Sequence, residues 1–191
     1  MALYLYVGDP RSGKTISIED EGQKFKEAGY TIYSNFKLAY PHEKLTRKMI
    51  LEWEKKDLNL PTKAVFLIDE IHLWFDSRNS MNSNNKIFSY FFSQLGHFTG
   101  NKQKGLTILG TTQRFSFVDI RGRRLTHKVI ECKKLEEKEN EYIKVLRIYK
   151  LNKNEVLKII KKETILFTKE DFDKYDTQEQ MKSTTTEALN D

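Results

Sequence analysis

The sequence predicts an α/β fold, a three-layer sandwich with a mostly parallel central sheet, and three observations carry that prediction. Short apolar runs at Leu3–Val7 and Ala64–Ile68, and the Leu106–Gly110 run that is apolar but for Thr107, read as buried strands. Stretches of helical character lie between them, the alternation expected when parallel strands are joined by crossover helices. Each run also ends in a polar or glycine-rich turn, so polar groups would gather at the carboxyl edge of the sheet.

Taken in order, the first strand leads through Gly8 into a helix from Lys14 to about Ala28, closed by Gly29 as a C-terminal cap. Tyr30–Phe36 alternates β-branched and aromatic residues and predicts a second strand. Pro41 to about Lys56 is polar and helix-prone, and Pro61 precedes the Ala64–Ile68 strand. Ser77–Asn85 is a loop by composition. Ile87, Phe91, Leu95 and Phe98 then recur at helical spacing, which predicts an amphipathic helix facing the sheet. After Leu106–Gly110, Val129–Lys133 and Tyr142–Leu151 predict two further strands around the charged 134–141 turn. From about Asp176 the chain is polar and Thr-rich and is expected to be disordered.

Composition narrows the class. Hydrophobic residues make up 38% of the chain, enough to build a core, so a wholly disordered protein is excluded. The lone Cys132 excludes an internal disulfide framework and a cysteine-rich zinc site. His42, His72, His97 and His127 share no ligand spacing. The N-terminal run lacks a basic region and a cleavage site, and no apolar run reaches the roughly 18–20 residues that span a bilayer. A cytoplasmic protein is expected. The formal charge of +6 is concentrated: residues 101–134 hold nine basic and two acidic groups, a net +7, whereas 1–100 are near balance and 135–191 are slightly acidic. A polyanion partner explains that placement, and a solvated positive face is the alternative.

The chemistry starts at Gly8-Asp9-Pro10-Arg11-Ser12-Gly13-Lys14-Thr15, a Gly-x-x-x-x-Gly-Lys-Thr phosphate loop between a strand and a helix. Its backbone N–H groups can wrap a phosphate because glycines permit the necessary dihedrals, and the helix that follows directs its positive end at the anion. Lys14 would reach the β- and γ-phosphates, and Thr15 would ligate Mg²⁺. Asp69 and Glu70, at the end of Val65-Phe66-Leu67-Ile68, supply the matching acids: Asp69 for the metal shell and Glu70 to polarise the attacking water. Hydrolysis of ATP is therefore expected in preference to transfer to a small acceptor. Gln113 closes the Leu106–Arg114 stretch and puts an amide at the sheet edge, within reach of a γ-phosphate or the water.

Together, Gly8–Thr15, Asp69-Glu70 and Thr112-Gln113-Arg114 resemble the FtsK/HerA superfamily of P-loop ATPases that pump DNA. Within it the chain is similar to small viral genome-packaging ATPases, with the zonula occludens toxin-like assembly ATPases of filamentous phages as near relatives. Ser34-Asn35, Trp74-Phe75-Asp76-Ser77-Arg78 and Tyr175-Asp176-Thr177 carry the same likeness. The resemblance implies the additional-strand, RecA/FtsK-like arrangement, with the 106–111 strand between those bearing Lys14 and Asp69. The resemblance covers roughly residues 2–134 and extends toward 177; the expected division is a core over 1–134, a strand/helix extension over 135–175 packed on that core, and a tail over 176–191 that composition marks as disordered.

The implied activity is ATP hydrolysis coupled to moving double-stranded DNA, independent of sequence, by a homo-oligomeric ring, hexameric by resemblance. The implied setting is the infected host cytoplasm or a virion, with a capsid or vertex protein as a possible partner and ATP with Mg²⁺ as cofactors. Relatives often carry a trans-acting arginine just before the Gln strand. Here that segment, Gly100 to Gly105, holds only Lys102 and Lys104, so Lys104, Arg78, Arg121, Arg123 and Arg124 are the finger candidates. Lys102, Lys104, Arg121, Arg123 and Arg124 are also candidate DNA contacts. Three alternatives stand beside the packaging motor. A filamentous-phage-type assembly ATPase would usually carry a transmembrane helix after the ATPase domain, and nothing after residue 134 is apolar enough. A P-loop nucleoside or nucleotide kinase fits the size. A nucleotide-switched binding module would leave Glu70 structural.

Overall fold

In the computed structural model, which describes residues 2–51, 61, 63–74, 86, 88, 90–91, 106–138, 141–151 and 157–168, the apolar runs become neighbours in one eight-stranded sheet. The strands are β1 (Ala2–Val7), β2 (Thr31–Ser34), β3 (Glu43–Lys44), β4 (Ala64–Ile68), β5 (Thr107–Thr112), β6 (Lys128–Lys138), β7 (Glu141–Leu151) and β8 (Leu157–Thr168). Their order is β3-β2-β4-β5-β1-β6-β7-β8. β5 is thus inserted between β1 and β4, parallel to both, with Leu5 and Ile68 each opposite Gly110. This is the additional-strand arrangement expected from the sequence. Because β1, β4 and β5 run the same way, the turns after Val7, Ile68 and Thr112 share one edge.

Strand alternation sorts the core into two layers. Leu3, Leu5, Phe66, Ile68 and Ile108 face one way, against Trp74, Phe88 and Phe91. Residues 86, 88, 90 and 91 are helical, and Phe88 and Phe91 are fully buried there. Tyr6, Val65, Leu67, Leu109, Ile130 and Cys132 face the other way, against Ile18 of helix α1 (Lys14–Glu27). Helix α1 lies close to the sheet because Gly22 has no side chain: a Cβ there would come within 2.6 Å of Leu67. It ends in a Schellman turn, in which Tyr30 N–H donates to Phe25 O (3.0 Å) and Gly29 N–H, at φ +79°, to Lys26 O (2.9 Å).

The polar stretch after Pro41 contains more than the predicted helix. Glu43–Lys44 adds a two-residue parallel strand beside β2, and helix α2 covers Arg47–Leu51. Residues 52–60, the Ser77–Asn85 loop and Leu95 and Phe98 of the predicted amphipathic helix lie outside the described residues.

The sheet changes character at β6. Lys128–Glu131 pair in parallel with Tyr4–Val7, and the strand then continues past the end of β1, antiparallel to β7. β8 completes the antiparallel arm. The boundary drawn at residue 134 therefore falls inside a continuous strand. β8 has no alternating apolar face in sequence: Lys158, Lys161 and Lys162 flank Ile159 and Ile160, which are 56% and 51% exposed. Lysine-rich strands of this kind are typical of sheet edges, where charge discourages pairing with another chain. No helix among the described residues is long and apolar enough to cross a membrane.

Candidate active site

The phosphate loop leaves β1 under tight constraint. A Cβ on Gly8 (φ +152°) would sit 2.3 Å from the Cys132 carbonyl oxygen, so only glycine lets the loop pass this close to β6. Gly13 adopts φ +78° immediately before α1, and Arg11 also takes a left-handed φ of +61°. That conformation costs a non-glycine residue about 1–3 kcal/mol and is typical of ligand-binding turns. The Lys14 side chain is 7% exposed, and its Nζ donates to the carbonyls of Gly8 (3.1 Å) and Asp9 (2.9 Å). The ammonium thus lies inside the loop, at the amino end of α1, where an anion is favoured.

Across from it, β4 and β5 build an acidic cluster. Thr15 Oγ1 donates to Asp69 Oδ1 at 3.0 Å, joining the two residues expected to ligate a metal. Thr111 Oγ1 donates to the same oxygen and accepts from Glu70 N–H at 2.9 Å. Asn35, at the end of β2, clamps the Asp69 backbone from the other side. Its Nδ2 donates to Asp69 O (3.0 Å), and its Oδ1 accepts from Asp69 N–H (2.8 Å).

Glu70 follows at φ +50°, a left-handed conformation rare for this residue type. Burial raises its pKa above the usual carboxylate range, and the neighbouring Asp69 charge adds to the rise while Lys14 opposes it. A carboxylate so raised is a better proton acceptor.

Gln113 follows β5. Its carbonyl accepts from Gly8 N–H at 3.3 Å, so its main chain braces the phosphate loop while its side chain is exposed. With Arg114 and Phe115 it lines a cleft of about 580 Å³ between Gly8–Ser12 and Glu131–Lys134 of β6. Lys14, Thr15, Asp69 and Glu70 are not part of that wall, so the cleft borders the outer limb of the loop.

Of the basic candidates, Arg121, Arg123 and Arg124 lie on a short helix, α3 (Ile120–Arg124), capped by Asp119, whose carboxylate accepts from Arg121 N–H at 2.9 Å. Arg121 and Arg124 are exposed, whereas Arg123 lies over the Phe115 ring at 5.9 Å. Arg78, Lys102 and Lys104 lie outside the described residues.

Residues 2–182 match the family model of the zonular occludens toxin (Zot). The chain belongs to the Zot family. Among solved structures, the N-terminal domain of zonular occludens toxin from Neisseria meningitidis is similar at 21% identity. That match covers 92% of this chain and 98% of that one, with a TM-score of 0.57. The genome packaging NTPase B204 from Sulfolobus turreted icosahedral virus 2 is also similar. Its complex with AMPPCP matches at 17% identity over 84% of this chain and 97% of that one, TM-score 0.51. At these identities the likeness establishes the shared P-loop NTPase fold. No curated protein matches the chain.

Two supports of the Zot-family site were not legible as such. Asn35 is recognisable in sequence only as part of the family likeness, and Thr111 as one of two adjacent threonines. A polar pair at the end of an otherwise apolar strand is the signal that points to Thr111, since a buried hydroxyl there needs a partner.

Proposed function

We propose that this Zot-family chain is an ATP-hydrolysing motor that moves viral DNA as a homo-oligomeric ring, hexameric by resemblance, in packaging a genome. The observation that carries the reading is the joining of Thr15 to Asp69 at 3.0 Å, with Glu70 next in the chain and Lys14 inside the loop. That geometry suits a nucleoside triphosphate: Gly8–Thr15 and the end of α1 hold its phosphates, and Lys14 neutralises the β- and γ-oxygens.

Thr15 Oγ1 and Asp69 Oδ1 are the oxygens that would hold Mg²⁺, since that ion is bound by one or two protein oxygens together with substrate phosphates. Both are hard donors and already adjacent, so the residues fit the ion. When bound, Mg²⁺ supplies charge neutralisation at the phosphates. Glu70, a carboxylate of raised basicity, accepts the proton of the attacking water. Gln113 is the candidate for sensing the γ-phosphate from the end of β5.

A second reading, a filamentous-phage-type assembly ATPase acting on a virion at a membrane, draws support from the family match itself. Both readings share ATP hydrolysis in the service of making a virus particle. They differ in setting: the infected cell's cytoplasm or a virion vertex with a capsid protein for packaging, a membrane surface for assembly.

The DNA side is tested on α3. Arg121 and Arg124 are exposed, whereas Arg123 is packed on Phe115, so the informative variant is Arg121→Glu with Arg124→Glu. The several-fold stimulation of phosphate release by DNA, taken against the double variant's own basal rate, should be lost. The salt slope of DNA binding should shrink by about 2, one for each lost phosphate contact. Unchanged stimulation and slope would remove α3 from the DNA path.

A further inference from the structure

The cleft of about 580 Å³ along the outer limb of the phosphate loop carries an excess of positive charge. Arg11, Arg114, Lys133 and Lys134 bring four cations to its wall, against the carboxylates of Asp9 and Glu131. All four cations are exposed. Glu131 is engaged from the next strand, where the Tyr149 hydroxyl donates to its Oε2 at 2.8 Å. Among the described residues, no ion pair engages Arg11, Arg114 or Lys133. A concave surface with such a surplus draws in anions.

Arg114 and Lys133 occupy matching places beside the loop. Gly8 N–H donates to Gln113 O at 3.3 Å, one residue before Arg114. On its other side Gly8 passes so close to Cys132 O that a Cβ would come within 2.3 Å, one residue before Lys133. The two chain segments that fix Gly8 thus each continue directly into a cation of the cleft. Arg11 belongs to the loop itself, and the Gly8 carbonyl accepts from Lys14 Nζ at 3.1 Å. An anion drawn between Arg114 and Lys133 would therefore bear on the residue that holds the catalytic lysine.

The basic surface also runs on to α3. Phe115 lines the cleft, and the Arg123 guanidinium lies over its ring at 5.9 Å, on the helix that bears the exposed Arg121 and Arg124. Exposed cations spread over the loop, the end of β5, β6 and α3 suit the repeated phosphates of a passing strand better than one enclosed small anion. Contacts of this kind grip the backbone and read no bases.

We propose that Arg114 and Lys133 clamp backbone phosphates of DNA in this cleft and pass that contact to the phosphate loop through Gly8. This rests on the reading of the chain as a DNA-moving ATPase and adds the route by which DNA reaches the hydrolytic site.

Two paired variants test it, with α3 left intact. Arg114→Gln with Lys133→Gln removes both charges and keeps polar side chains, while Arg114→Lys with Lys133→Arg retains the charge. By fluorescence anisotropy with a labelled duplex, the Gln pair should reduce the salt slope of binding by about 2, one for each lost phosphate contact. At duplex concentrations that saturate the Gln pair, phosphate release should not rise above that variant's own basal rate. The charge-retaining pair should keep both slope and stimulation. An unchanged slope for the Gln pair would overturn the clamp, and weaker inhibition by added inorganic phosphate beside it would make the cleft a site for the free ion. A reduced slope with stimulation intact would overturn it too, since the contact would then not reach the loop. If the wild-type chain neither binds duplex nor responds to it, the DNA reading falls and the clamp with it. If the wild type and the Gln pair respond equally, only the clamp falls.

Discussion

Glu70→Gln is expected to lower phosphate release by about 10²–10⁴-fold, the range of general-base catalysis, while ATP still binds. The substitution is nearly isosteric, and the backbone N–H that Thr111 receives from residue 70 is unaffected. Lys14, Thr15 and Asp69, which would hold the phosphates and the metal, are left in place. The loss should therefore appear in kcat and not in KM. Fluorescent-nucleotide binding beside a phosphate-release assay checks both parts. Retained hydrolysis would make Glu70 structural and return the chain to a nucleotide-switched binding module. Loss of binding along with hydrolysis would mean that the carboxylate serves the fold of the edge.

In the proposed ring, a second large effect is expected of a cation that would complete the site across a subunit boundary. Such a residue contributes about 10³–10⁵ in rate in enzymes of this chemistry, and the candidates are Arg78, Lys104, Arg121, Arg123 and Arg124. Among the described ones, Arg121 and Arg124 are exposed residues of α3, and Arg123 lies over the Phe115 ring. Alanine at the acting position should reduce hydrolysis by that factor with nucleotide binding intact. Mixing this variant with Glu70→Gln subunits should restore activity, because an intact finger can then serve a neighbour's intact Glu70. Mixtures that stay inactive for all five candidates would place the missing charge within the same subunit. Arginine at Lys104 offers a further check, since only a guanidinium presents a planar fork to the γ-phosphate.

The parts of this architecture written as contiguous residue patterns were legible in the sequence. Gly8–Thr15 and Asp69-Glu70 are short motifs with fixed neighbours, and Ala64–Ile68 matches β4 residue for residue because a strand buried on both faces is apolar throughout. The insertion of β5 between β1 and β4 followed from the family likeness and not from periodicity, because strand order is a long-range property. Two features stayed hidden. β8 is an edge strand whose lysines mask alternation. The supports of the acids (Asn35 and Thr111) come from two separate segments that only folding brings together. Their residue types are ordinary, and their meaning lies in distances of 2.8–2.9 Å.

In the proposed motor, hydrolysis at Lys14, Asp69 and Glu70 drives movement on DNA. The most direct test is steady-state phosphate release by the wild-type chain with ATP and Mg²⁺, measured with and without double-stranded DNA. ATP should be split to ADP and free phosphate, with the rate rising several-fold when DNA is added. A rate that DNA leaves unchanged, or phosphate recovered on a nucleoside acceptor, would contradict it.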